Sequence, residues 1–104
     1  MSDQSSSKER LEKYKIMLLD IVHKHIPDCS VYLFGSRARG STLEGADMDV
    51  ALDAGSPISF NVLVDISSDL EESNIPLFVD IVDMHNVSIE MRKEIEKEGK
   101  LWTK

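Results

Sequence analysis

Cysteine is almost missing from this sequence: Cys29 is the single one among 104 residues. That excludes an internal disulfide framework and any zinc site built on cysteines, and it points to a reducing, cytoplasmic setting. Long apolar runs are missing too. No stretch approaches the roughly 20 residues that cross a bilayer, and Met1 to Arg10 is polar, without the apolar stretch of a signal peptide. A soluble, unexported protein is expected. Basic residues are scarce, with twelve Lys plus Arg against nineteen acids and a formal net charge of −7. A field of that sign opposes nucleic-acid backbones, so a basic-groove DNA or RNA binder is disfavoured. Internal repeats and long linkers are absent as well. What remains is ordinary globular material, 41% hydrophobic and 30% charged, with room for one core, and residues 1–104 are expected to form a single domain.

The hydrophobic pattern divides the chain into alternating elements. Ser6 and Glu9 have the S-x-x-E spacing of a helix start, and Leu11, Tyr14, Leu18, Ile21, Val22 and His25 share one helical face until Pro27 stops it. The spacing predicts a helix over about residues 7–26. Val31 to Phe34 is a short β-branched and aromatic run ending at Gly35, which reads as a buried strand. Met48, Val50 and Leu52 alternate with Asp47, Asp49 and Ala51, which reads as a strand with a polar and an apolar face. Ser56-Pro57 offers a cap and a first helical position, and Phe60, Leu63, Val64, Ser67 and Leu70 trace a helical stripe to about Ser73. Leu77 to Asp83 reads as a third strand, with Asp80 and Val82 facing one way and Val79, Ile81 and Asp83 the other. Val87, Met91, Ile95 and Trp102 suit a C-terminal helix capped by Asn86 or Ser88. The expected architecture is α/β (α+β), a small mixed β-sheet of about three strands packed against helices.

The chemistry concentrates in two stretches. Asp47 and Asp49, two apart on a strand, project from the same face, and their mutual repulsion favours a shared divalent cation. Mg²⁺ suits such a site because it takes oxygen ligands and keeps positions open for water and phosphate. Asp80, on a neighbouring apolar strand, offers a third carboxylate; Asp83 takes that place only if the register is shifted. Upstream, Gly35-Ser36 lies where a strand becomes a turn, so that backbone amides and the Ser36 hydroxyl can grip phosphate oxygens. Arg37 and Arg39 flank the turn and either offset triphosphate charge or serve as surface ion-pair partners. His23, His25 and His85 share no metal spacing and are assigned no chemistry.

Gly35-Ser36, ten intervening residues, then Asp47-Met48-Asp49 form the pattern G-S, D-x-D. In this the chain resembles the minimal nucleotidyltransferase family of the DNA polymerase β-like superfamily. The resemblance implies the polymerase β-like core, with Gly35 and Ser36 in the place of the family's triphosphate-binding pair. It also implies that Asp47, Asp49 and Asp80 are the catalytic, metal-binding carboxylates, holding two Mg²⁺ ions with ATP as substrate. It further implies transfer of AMP to a hydroxyl. Small members of this kind resemble the antitoxin of a type VII-like toxin-antitoxin pair, in which a tyrosine of a HEPN-domain toxin receives AMP. Two other readings stand beside it. One is an antitoxin that neutralises its toxin by binding alone, and the other is an aminoglycoside-type nucleotidyltransferase whose acceptor pocket is completed by oligomerisation.

Overall fold

The structure, a computed structural model, describes residues 3–35, 48–76 and 78–103. Helix α1 (Asp3–His25) leads into strand β1 (Ser30–Phe34), and β2 (Met48–Asp53) is followed by helix α2 (Phe60–Glu72). Strand β3 (Val79–Asp83), helix α3 (Ile89–Glu98) and strand β4 (Lys100–Leu101) complete the order. The four strands form one sheet in the order β3-β2-β1-β4. β1 runs antiparallel to β2 and to β4, whereas β2 and β3 are parallel. A parallel pair needs a crossover, and α2 supplies it.

Strand alternation sorts the apolar residues into two layers. Val31, Leu33, Met48, Val50 and Leu52 face α1 and α2 and meet Leu18, Val22, Ile66 and Leu70 in the larger core. Each large side chain sealed there stabilises the fold by about 1.5–3 kcal/mol. Ala51, with Tyr32, Phe34 and Val82, faces the other way and meets Ile95 of α3 and Met84 in a smaller cluster. Asp83 is the buried charged residue among those described, 4% exposed. Its Oδ2 accepts from the Ile58 N–H (2.8 Å) and its Oδ1 from the His85 N–H (2.9 Å). It thereby ties the segment before α2 to the turn after β3.

Several expectations need correction. The sheet has four strands rather than three, because Lys100-Leu101 pairs with Tyr32 and Leu33. A two-residue edge strand carries no periodic signal, and only its partner reveals it. Trp102, expected on the last helix, follows this strand instead. Its N–H donates to the Val31 carbonyl (2.7 Å), and its side chain packs against the larger core. α1 begins at Asp3, so Ser6 lies inside the helix rather than at its start; serine costs a helix interior well under 1 kcal/mol relative to alanine, too little to break a turn already formed. α2 starts three residues later than Ser56-Pro57 suggested, with Ser59 as cap, its hydroxyl accepting from the Val62 N–H at 3.3 Å. The Asp83 bond to Ile58 holds the preceding segment out of the helix. The stripe of α2 is also rotated: Ile66 and Leu70 are buried, whereas Phe60 is 77% and Val64 45% exposed. β3 begins at Val79 rather than Leu77, which lies outside the described residues. Of the two proposed caps for α3, Ser88 is used. Among the described residues no helix is long and apolar enough to cross a membrane.

Candidate active site

Asp49 and Asp80 stand on adjacent strands in register: in the parallel β2-β3 pair, Asp49 lies directly beside Asp80. Because side chains alternate along a strand, residues in register project from the same face. That is also the face of Tyr32, Phe34, Ala51 and Val82. Asp49 is half-buried and Asp80 exposed. Like-charged neighbours directly across a ladder are unfavourable, so this pairing spends stability on something other than folding. Asp83 sits on the opposite face, and both its oxygens already accept backbone N–H groups. The register therefore places Asp80, and not Asp83, beside Asp49.

Gly35 closes the site from the side of β1. The register sets Phe34 opposite Asp49, and the next residue turns the chain over the carboxylate. Gly35 has φ +76°, in the left-handed region that favours glycine. A Cβ built there would lie 2.5 Å from Asp49 Oδ2 and 3.3 Å from its Cγ. Any side chain at this position would thus displace the Asp49 carboxylate. The sequence pattern marked Gly35 as a phosphate-turn residue; its second role, giving room to Asp49, shows only in three dimensions. Ser36, Arg37, Arg39 and Asp47 lie outside the described residues.

The donor set suits a hard divalent cation. Ionised carboxylates offer oxygen acceptors, and two of them held side by side repel each other, a repulsion that a divalent cation relieves. Among the described residues no group of three or more His, Cys, Asp or Glu side chains converges; Asp47, two residues before Asp49, is not among them.

The three histidines are engaged in structural contacts. His25 Nε2 meets Asp69 Oδ2 at 2.6 Å and links α1 to α2. His85 Nε2 meets Asp53 Oδ1 at 2.7 Å, and His23 Nε2 lies 2.9 Å from the Cys29 carbonyl. The Gly55 N–H, donating to Oδ1 at 2.9 Å, holds the Asp53 carboxyl below its ordinary range, with His85 adding to the effect. Burial pushes the Cys29 thiol up to about 11, so it stays protonated and is no nucleophile. An open groove of about 370 Å³ runs beside Asp80, lined by Ser67, Leu70, Glu71, Phe78, Val79 and Ile81. None of its α2 residues was a candidate in the sequence, since nothing in a one-dimensional pattern sets the end of α2 against β3.

The site is thus two carboxylates in register beside a glycine turn, on a mixed sheet with helices on both faces. The sequence profile described as "Polymerase beta, Nucleotidyltransferase" matches residues 8–103. The chain belongs to the polymerase β nucleotidyltransferase family. It is 31% identical over 77 residues to a probable protein adenylyltransferase MntA of Haemophilus influenzae, a match covering 74% of this chain and 68% of the relative. Solved structures share the fold. A toxin-antitoxin complex with AMP-PNP superposes with TM-score 0.73 at 24% identity, over 86% of this chain and 71% of that one. A complex of the tri-AMPylated Shewanella oneidensis HEPN toxin with its MNT antitoxin gives 0.71 at 20% identity, over 88% and 71%.

Proposed function

We propose that this chain transfers AMP from ATP to a hydroxyl, that of a tyrosine on a HEPN-domain toxin, and acts as the antitoxin of a type VII-like pair in the cytoplasm. One observation carries the reading: Asp49 and Asp80 in register on one face, with the Asp49 carboxylate resting against Gly35. The likeness to MntA supports it, as does the family's chemistry.

In the reaction the acceptor oxygen attacks the α-phosphorus of ATP. The new O–P bond forms as the bond from the α-phosphorus to the bridging oxygen breaks, and pyrophosphate leaves. Asp80, exposed at the sheet edge, takes the hydroxyl proton, since an approaching acceptor reaches it before the half-buried Asp49. Gly35 leaves the backbone bare where the triphosphate approaches, and Ser36 donates its hydroxyl and amide there. Arg37 and Arg39 offset phosphate charge. Asp47, Asp49 and Asp80 would hold Mg²⁺, two ions in all. When bound, these would neutralise the polyphosphate and lower the proton affinity of the acceptor hydroxyl.

The test is to incubate the protein with ATP, Mg²⁺ and the HEPN-domain protein encoded beside it, and to weigh the partner. An increment of one or more AMP units is expected, lost in Asp49→Asn and in chelator. Full neutralisation of the toxin by Asp49→Asn without any adduct would replace transfer by simple blocking.

A further inference from the structure

β3 ends the sheet, and among the described residues no strand pairs with its outer edge. Two backbone bonds fix which groups it leaves unpaired. Met48 N–H donates to the Phe78 carbonyl and Met84 N–H to the Leu52 carbonyl, both at 2.9 Å. In a parallel ladder alternate residues turn their N–H and C=O to the neighbour. Residues 78, 80, 82 and 84 therefore face β2, and the backbone groups of Val79 and Ile81 point outward. The same strand carries Asp80, whose side chain shares a face with Asp49.

We propose that the acceptor segment of the partner protein docks as an antiparallel strand on this edge and presents its hydroxyl residue opposite Asp80. The inference rests on the transfer reading above and names how the acceptor is held. Val79 and Ile81 would exchange hydrogen bonds with the incoming strand, which makes the position opposite Asp80 a non-hydrogen-bonded pair, where Cα atoms approach to about 4.5 Å and side chains come closest. Across the face the order is then Asp49, Asp80, acceptor, with the proton-accepting carboxylate in the middle.

The surroundings select the occupant. The groove along this edge exposes the Phe78 ring, 61% accessible, and carries Glu71 and Asp80 without a basic residue in its lining. An extended segment with an apolar residue for Phe78 and a Lys or Arg flanking the hydroxyl complements it. A second copy of this chain does not: pairing β3 with β3 about this position would set Asp80 against the Asp80 of the other copy on a protein of net charge −7.

Amide hydrogen exchange read residue by residue on the full chain tests this, free and with the HEPN-domain partner. In the free protein the Asp80 and Val82 amides are expected to be slow and those of Val79 and Ile81 fast. With the partner bound, Val79 and Ile81 should slow by roughly tenfold or more while Asp80 and Val82 change little. Val79→Pro removes one outward N–H at the first position of a strand, where proline is tolerated. It should raise the KM for the partner roughly tenfold while leaving nucleotide binding unchanged. AMP transfer with unchanged exchange at Val79 and Ile81 overturns the docking mode and leaves the transfer reading standing. Protection of both amides with no adduct under any condition removes the transfer reading and the acceptor assignment with it. Slow Val79 and Ile81 amides in the free protein, accompanied by a dimer in solution, would assign the edge to a second copy instead.

Discussion

Gly35→Ala is the sharpest single perturbation, because the structure contains its own control. Gly35 and Gly55 both have positive φ, +76° and +82°. An alanine held there costs about 1–2 kcal/mol, since its Cβ crowds the following carbonyl. At Gly55 that is the whole cost, for an added Cβ meets nothing within 4 Å. At Gly35 the Cβ would fall 2.5 Å from Asp49 Oδ2, so the carboxylate must swing away, at about 0.5–1.5 kcal/mol for an off-rotamer side chain. Gly55→Ala should thus lower stability by about 1–2 kcal/mol, and Gly35→Ala by about 1.5–3.5 kcal/mol. For a domain of this size each kcal/mol lowers Tm by about 4–8 °C. The larger divergence is in activity. A displacement near 1 Å of a group that must align reactants costs on the order of 10²-fold in rate, so Gly35→Ala should lose about that much AMP transfer while Gly55→Ala keeps it. Thermal melts and adduct formation below the melting range, run on both variants, separate the two effects. Equal activities in two folded variants would refute the claim that the bare Gly35 backbone positions Asp49.

Asp80 and Asp83 should separate chemistry from folding in the same way. Asp80→Asn, at an exposed site, should stay within about 0.5 kcal/mol of wild type in urea titrations, while transfer falls by about 10²–10⁴-fold. Asp83→Ala strands the Ile58 and His85 N–H groups and should cost about 2–4 kcal/mol in the same titration, with transfer retained in whatever fraction stays folded. The Asp53 carboxyl lies below its ordinary range in the fold, so its contribution is present above the unfolded value and is lost as pH falls through the folded one. Asp53→Asn should accordingly flatten the acid limb of the stability-pH curve below the ordinary carboxylate range; an unchanged limb would show that the Gly55 and His85 bonds carry no linkage. Cys29, buried and with its thiol pushed up to about 11, should react with a thiol reagent near pH 8 only after denaturation, and rapid labelling of the native protein would contradict its burial.

Much of the frame was legible in the chain because strong patterns are local. The apolar face of α1, the β-branched run of β1, the alternation Met48-Val50-Leu52 and the run before Asp83 each announce an element through its own period. Carboxylates two apart after a Gly-Ser turn announce charge handling by the same means. The misread features were those set by contacts across the fold. Lys100-Leu101 becomes a strand only because β1 offers it an edge. The start of α2 moves to Ser59 because Asp83, 25 residues away from Ile58, holds the entering segment, and the face of α2 turns to bury Ile66 because β2 and α1 lie there.

The sequence by itself determined the kind of chemistry and the residues able to perform it, because a carboxylate, a glycine or a serine carries its acid-base and steric properties wherever it is placed. Tertiary structure decided which of them meet. Asp80 rather than Asp83 stands beside Asp49 because the parallel register of β2 and β3 pairs them, and one residue of slip would have sent Asp80 to the other face. That register follows from packing two apolar faces at once, a condition no stretch of sequence states alone.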